Sequence, residues 1–378
     1  MFQQIEEYLK TMSAQLLQGC RILAYDGTPL YTPDGVANYN ALWLRDFSYM
    51  TEYAGNLIPP KDIIRCIRFS IQHRREDGWM PDRVTASGKG IYAAGEDGAP
   101  IGLANLDNTP FLIYTVYSLS LLIEEEQFRP LFLEWDPFLT AGMKLIPLSS
   151  QGLVYNAPDN PHSPYGFTDT VCKTGQLFLE SLLFWRACRI MEKLGSAHSS
   201  WYNQKAQAIE NRLSVFRNPQ TGEYYAAEKD CRQTDIWGMA YMLYINFPVT
   251  SREKEGVLSF LAEHYEAYMY RGQVRHLLKG EYWNRLLISI EKETYQNGAY
   301  WATASGWLIW CLAQKDIALA RKTLIEAVQY FQEEGFFECV NERYQKLPSF
   351  VVSATNVYGG LLRLKEDCPA FFSDEDIL

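Results

Sequence analysis

Asp46, Asp107, Asp169, Asp235 and Asn297 recur along the 378-residue chain at gaps of 61, 62, 66 and 62 residues (107−46, 169−107, 235−169, 297−235). Their surroundings recur as well: Trp43-Leu44-Arg45-Asp46, Leu106-Asp107-Asn108-Thr109, Phe167-Thr168-Asp169, Thr234-Asp235-Ile236-Trp237 and Gln296-Asn297-Gly298-Ala299-Tyr300-Trp301. Carboxylates, amides, a guanidinium and indoles together suit a polyhydroxylated ligand. The charged and amide groups form directed hydrogen bonds to hydroxyls, and the rings offer a flat face to the apolar side of a pyranose. Asp and Asn also favour helix N-caps, so capping competes with binding at each position taken singly. Five in register beside aromatics point to a ligand site. Trp43, Arg45, Asp46, Asp107, Asn108, Asp235, Trp237, Asn297 and Trp301 are its candidate contacts, with Trp79 and Tyr165 from the loops between.

Cleaving a glycosidic bond needs two carboxyls, one to protonate the leaving oxygen and one to activate water or attack carbon. Asp169 follows the dense loop Asn160-Pro161-His162-Ser163-Pro164-Tyr165-Gly166-Phe167 and is the candidate acid. Burial among those aromatics would raise its pKa and keep it protonated. Glu338, in Phe336-Phe337-Glu338-Cys339-Val340-Asn341, is the candidate base, flanked by apolar residues where Glu333 and Glu334 are plainly solvated. Glu180 and Glu293 are the alternatives for the second role.

The elements that must carry these groups are helices. Twelve segments are expected, at 2–19, 42–56, 60–73, 107–125, 130–146, 170–194, 198–214, 234–246, 251–266, 298–314, 316–333 and 350–366. Odd-numbered segments are amphipathic. In the eleventh, Leu324, Ala327, Val328 and Phe331 share one face, with Arg321, Lys322, Glu326 and Gln329 opposite. Even-numbered segments are apolar nearly all round, as in Leu182-Leu183-Phe184-Trp185 of the sixth. All-round apolarity means burial on every side. Alternation of the two kinds predicts an all-α fold, an (α/α)6 toroid of six helical hairpins with an inner and an outer ring. Even-to-odd connections are short. Odd-to-even connections are long and aromatic (74–106, 147–169, 215–233, 267–297, 334–349), and loops of that length usually serve function. One face of the ring should therefore be a deep mouth walled by aromatic loops.

No linker or low-complexity tract divides the chain, so a single domain over 1–378 is expected. A hydrophobic fraction of 47% permits a large core. A net charge of −10 without any basic run excludes a nucleic-acid footprint. No stretch approaches the roughly 20 apolar residues of a membrane span. The eight scattered cysteines form no CxxC pair, and no Cys/His cluster falls among the mouth loops. Reduced thiols, no metal and no cofactor follow as expectations. The start, Met1-Phe2-Gln3-Gln4-Ile5-Glu6-Glu7, lacks a basic-then-apolar signal, which makes the cytoplasm the expected location.

The chain resembles the six-hairpin glycosidases, the superfamily of trehalases, processing-type α-glucosidases, glucoamylases and α-rhamnosidases. Trp43-Leu44-Arg45-Asp46 is similar to the glucoamylase-type W-x-R-D that grips the terminal sugar. Gly166-Phe167-Thr168-Asp169 is similar to the trehalase G-W-D-F region that carries the acid, one residue longer and with Phe for Trp. Glu338-Cys339-Val340-Asn341 matches the spacing of the E-K-Y-D/N segment that carries the base. Tyr295-Gln296-Asn297-Gly298 with Trp301 looks like the family's H-N-G-x-x-W stretch. The resemblance implies an inverting, exo-acting glycoside hydrolase of a small oligosaccharide or glycoside, with Asp169 as acid, Glu338 as base, and Arg45 and Asp46 on the terminal sugar. The missing Arg after the acid argues against trehalose. The alternatives are a sugar epimerase on the same toroid, which would need a His pair, and a glycan-binding protein without turnover.

Overall fold

The computed structural model describes residues 1–96 and 98–373. Thirteen α segments are found among them: α1 Phe2–Gly19, α2 Leu44–Ala54, α3 Pro60–Gln72, α4 Asn108–Ser120, α5 Glu125–Leu145, α6 Phe178–Lys193, α7 Ser199–Glu210, α8 Ile236–Tyr244, α9 Ser251–Glu263, the single turn α10 Tyr265–Tyr268, α11 Ser305–Ala313, α12 Ile317–Glu333 and α13 Val351–Asp367. Helices α2, α4, α6, α8, α11 and α13 each pack on the next, and α13 returns to α2, which closes an inner ring of six. Outside it, α1 lies on α13, α5 on α4, α7 on α6, α9 on α8 and α11, and α12 on α11. The fold is the (α/α)6 toroid.

Burial follows the two sequence patterns. Every residue of α8 and of α11 is buried. In α1 only Phe2, Ile5, Leu9, Ser13 and Leu17 are buried, one side of an amphipathic helix. Small residues let the inner helices approach. A Cβ on Gly360 of α13 would meet the Gly306 Cα of α11 at 2.6 Å.

Several expected boundaries move, each for a local reason. The segment expected from 170 starts at Phe178, because Gly175 turns the chain at φ +78° and Gly175–Gln176 pairs as strand with Tyr155–Asn156. The segment expected from 298 starts at Ser305. Gly298 sits at φ +126°, and Trp301 exchanges backbone hydrogen bonds with Val274, keeping this stretch extended. The segment expected from Pro130 starts five residues earlier, with Glu125 and Glu126 in a first turn whose dipole favours acids. The mouth loops carry short antiparallel sheets, among them Ala41–Trp43 with Arg83–Thr85 and the hairpin Phe337–Asn341 with Tyr344–Pro348.

All eight cysteines are free thiols. Among the described residues no helix is long and apolar enough to cross a membrane, and no group of three or more His, Cys, Asp or Glu side chains could hold a metal.

Candidate active site

At the mouth, a cavity of about 40 Å³ is bounded by Pro33, Tyr39, Trp43, Arg45, Asp46, Gly166, Phe167, Asp169, Tyr295, Glu338 and Phe350. A vestibule of about 660 Å³ lies outside it, lined by Asn38, Asn40, Arg83, Thr85, Glu96, Ile288 and others. Tyr39, Trp43, Asp169 and Tyr295 line both spaces. Glu338 and Asp46 line only the inner one.

Arg45 and Asp46 enter on the first turn of α2, aimed by the strand Ala41–Trp43 that pairs with Arg83–Thr85. The Arg45 guanidinium is 4% exposed. Its Nη1 donates to Asp82 Oδ1 at 3.3 Å and to Asp107 Oδ2 at 3.2 Å. It lies flat on Gly166, where a Cβ would stand 1.4 Å from Arg45 Cζ. No other residue type fits there without displacing the arginine. Gly166 N–H also donates to Asp107 Oδ2 at 2.9 Å. Asp169 closes the short 3-10 turn Gly166–Thr168. Its Oδ1 accepts from Gln296 Nε2 at 2.8 Å, and Oδ2 has no protein hydrogen-bond partner among the described residues.

Glu338 sits on the first strand of the hairpin. Its Oε1 accepts from Tyr39 Oη at 3.0 Å, and its Oε2 lies 2.9 Å from Lys346 Nζ on the paired strand. The Lys346 ammonium also lies 3.3 Å from the centroid of the Tyr295 ring, a cation–π contact. Tyr39 is held by Asp34, whose carboxylate accepts from the N–H groups of Val36, Asn38 and Tyr39.

Around this cavity stand five carboxyls (Asp46, Asp82, Asp107, Asp169, Glu338) and three cations (Arg45, Arg83, Lys346), so full ionisation would leave excess buried negative charge. Protons are retained instead. Burial pushes Asp169 up to about 7, against the pull of Arg45 and the Gln296 hydrogen bond, with Asp82 and Asp107 adding to the rise. Burial pushes Asp46 up to about 7 and Asp107 up to about 6, in both cases against Arg45. Burial raises Glu338 too, while Lys346 and Tyr39 favour its ionised form. Asp46 makes no side-chain hydrogen bond among the described residues, so a protonated Asp46 facing the cavity can donate to, and accept from, a hydroxyl.

Of the residues singled out by sequence, Trp43, Arg45, Asp46, Asp169 and Glu338 meet at the cavity, and Asp107 stands directly behind it. The others lie elsewhere. Trp237 and Trp301 are 0% exposed and pack with Phe167 beneath the mouth. Tyr165 is wholly buried and shares a hydrogen bond with Tyr49. Trp79 stacks on His162. Asn108 donates to the carbonyls of Met80 and Tyr92, Asn297 ties Trp283 to Ile290, and Asp235 caps α8 by accepting from Gly238 N–H. Glu180 pairs with buried Lys173, and Glu293 pairs with Arg275 beside a separate hollow with Glu266 and Arg343. Neither alternative carboxylate reaches the cavity. No histidine lines it: His276 is buried against Trp237, and His162 bonds the Ala104 carbonyl.

Sequence reasoning did not single out Tyr39, Asp82, Gln296 or Lys346. Only Gln296 stood within a quoted motif. The rest are single polar residues outside the helices: the hairpin brings Lys346 inward, the Asp34 turn Tyr39, and the sheet of Ala41–Trp43 with Arg83–Thr85 holds Asp82.

Arg45→Ala would strand Asp107 without its cation, while Asp82 would keep Arg83 at 2.8 Å. Breaking a buried ion pair from one side costs about 3–5 kcal/mol. Denaturant unfolding of Arg45→Ala should show a loss of that order. A change under about 1 kcal/mol would show that Asp107 does not depend on it.

No protein-family model matches the chain, and no curated protein matches it in sequence. Solved structures do match in fold. The GH63 mannosylglycerate hydrolase of Thermus thermophilus, in complex with Tris and D-glycerate, aligns over 93% of this chain and 99% of its own at 15% identity and a TM-score of 0.64. A rhamnosidase from Klebsiella oxytoca with rhamnose bound aligns over 96% of this chain and 64% of its own, at 14% identity and a TM-score of 0.68. A glycosidase variant in complex with glucose aligns over 96% and 97%, at 13% identity and a TM-score of 0.66. The chain thus has the toroid fold of the six-hairpin glycosidases.

Proposed function

We propose that the protein is a glycoside hydrolase, exo-acting on a small oligosaccharide or glycoside and inverting, with Asp169 as general acid and Glu338 as general base. The observation that carries this reading is the different outlook of two carboxyls on one cavity. Asp169 borders both the vestibule and the inner cavity, whereas Glu338 borders only the inner one. An inverting hydrolysis needs this asymmetry: the acid on the side of the departing aglycone, the base behind the anomeric carbon with a water. Fold neighbours holding glucose or rhamnose support a carbohydrate ligand.

In the reaction, Asp169 gives its proton to the glycosidic oxygen as the bond to the anomeric carbon breaks. Glu338 takes a proton from the water whose oxygen forms the new bond to that carbon. The positive charge developing on the ring is stabilised by the carboxylates facing it. Lys346 and Tyr39 favour the ionised form of Glu338 and orient it, and Asp46 meets a sugar hydroxyl.

The protonation states set a pH profile that tests the assignment. Asp169 must be protonated, so activity should fall as pH rises through about 7. Glu338 must be ionised, so activity should also fall on the acid side. A screen of aryl glycosides for the cleaved sugar, followed by kcat/KM against pH, should give a bell whose alkaline limb lies near 7. A profile flat to pH 9 would remove Asp169 from the acid's role.

A further inference from the structure

One buried amide touches the acid and nothing in the reaction so far uses it. Gln296 is 1% exposed. Its Oε1 accepts from Thr170 N–H at 2.9 Å and from Thr170 Oγ1 at 2.7 Å. Its Nε2 donates to Asp169 Oδ1 at 2.8 Å and to the Gly166 carbonyl at 3.1 Å. The orientation of the amide is therefore fixed by its partners. Flipped, it would set its NH2 against the Thr170 N–H and its oxygen against the Gly166 carbonyl. The main chain around Gln296 is anchored as well. Trp283 Nε1 donates to its carbonyl at 2.8 Å, and Tyr300, four residues on, exchanges two backbone hydrogen bonds of 2.8 Å with Val340 of the Glu338 hairpin.

We propose that Gln296 is the positioning residue of the acid: its amide holds Asp169 Oδ1 as a hydrogen-bond acceptor, so that the transferred proton is carried by Oδ2, the oxygen without a protein partner. The inference rests on the hydrolase reading for its consequence in catalysis. A carboxyl oxygen that accepts an N–H in this way is a poor place for the acidic proton, and the second oxygen takes it. The same anchor fixes the carboxyl plane and couples the acid's loop, through residues 296–300, to the strand that carries the base. Without the amide, the Asp169 carboxyl turns about its last bond and presents either oxygen. The charged groups around it would remain as they are: Arg45 on one side, Asp82 and Asp107 behind that, and the Tyr39 and Tyr295 hydroxyls toward the base.

Removing an N–H donor that favours the ionised form raises the acid's pKa. In Gln296→Ala the alkaline limb of kcat/KM should therefore move up by about half a unit or more. The kcat on glycosides with poor leaving groups should fall roughly 10- to 100-fold, with less than about a threefold loss on nitrophenyl glycosides. KM should stay within about twofold, since the amide touches no substrate in this reading. Gln296→Glu keeps the shape and the Thr170 contacts but sets a second carboxyl against the acid, so the limb should move further up. An unmoved limb, or an equal loss on both leaving groups with a raised KM, would overturn the inference and leave Gln296 a packing residue.

A second readout needs no turnover. Infrared difference spectra, wild type minus Asp169→Asn, titrate the Asp169 carboxyl directly. If the wild type cleaves no glycoside, the hydrolase reading fails on its own. A raised Asp169 midpoint in Gln296→Ala would still support the positioning role, and an unchanged midpoint would overturn it. Should the Gln296 variants not fold, Thr170→Ala removes one of the two hydroxyl and amide anchors of Oε1. A smaller shift in the same direction supports the proposal, and no shift overturns it.

Discussion

Glu338→Gln should abolish hydrolysis of every substrate, including those with activated leaving groups, with kcat reduced by roughly 10³-fold or more, within the ~10²–10⁴ that a positioned base contributes. A good leaving group removes the need for the acid but not for the base, because the incoming water must still lose a proton. The substitution is nearly isosteric. Tyr39 Oη can still donate to the amide oxygen, and Lys346, whose side chain is 30% exposed, can turn toward solvent. Thermal unfolding should therefore change little, which separates loss of chemistry from loss of fold. Azide or formate added to Glu338→Gln should restore part of the turnover on a glycosyl fluoride by attacking in place of the deprotonated water. Near-normal turnover in the variant would remove Glu338 from the mechanism.

Asp169→Asn should divide substrates by leaving group. For alkyl glycosides, whose aglycone departs as a strong base, kcat should fall by about 10²–10³-fold. For nitrophenyl glycosides or glycosyl fluorides the loss should be under about tenfold. The alkaline limb of the pH profile should vanish with the group that causes it. The asparagine keeps an oxygen for the Gln296 amide, so the loop's geometry survives. Its stability should also shift with pH in a definite sense. A carboxyl raised to about 7 in the folded protein against 3.8 unfolded favours the fold below pH 4 and loses that contribution as pH rises through 7. The variant lacks this dependence, so relative to wild type it should gain stability between pH 4 and 8. Uniform loss across all leaving groups would contradict the acid's role.

The ring itself was legible because burial on all sides and burial on one side leave different hydrophobic patterns, and the chain alternates them. Helix α1 at Phe2–Gly19 and α12 at Ile317–Glu333 follow the periodic apolar positions almost residue for residue. The starts of α6 and α11 were not legible. Apolar residues such as Val171 and Trp301 read equally as buried strand or buried helix, but Val171 bridges Leu286, Gly175–Gln176 pairs with Tyr155–Asn156, and Trp301 bridges Val274, with Gly175 and Gly298 turning the chain between. The near-62-residue interval is thus a property of the repeating hairpins rather than of five equivalent ligands. Asp235 is a helix cap, Asn297 a loop tie and Asp107 a partner of Arg45, while Asp46 and Asp169 reach the cavity. Glu338 was legible from its flanking apolar residues against the solvated Glu333 and Glu334. Lys346 and Tyr39 were not, because their inward aim depends on a hairpin register and an Asp34-held turn. No periodicity encodes either one.

The stereochemistry of the first product tests the central claim most directly. A glycoside of known anomeric configuration, hydrolysed by the wild-type protein in an NMR tube, releases a sugar whose anomeric proton can be read before mutarotation. Single displacement by a water held at Glu338 predicts a first-formed product of the opposite configuration to the substrate. A first-formed product that retains the substrate's configuration would require a covalent intermediate, and would contradict the assignment of Glu338 as a base acting on water.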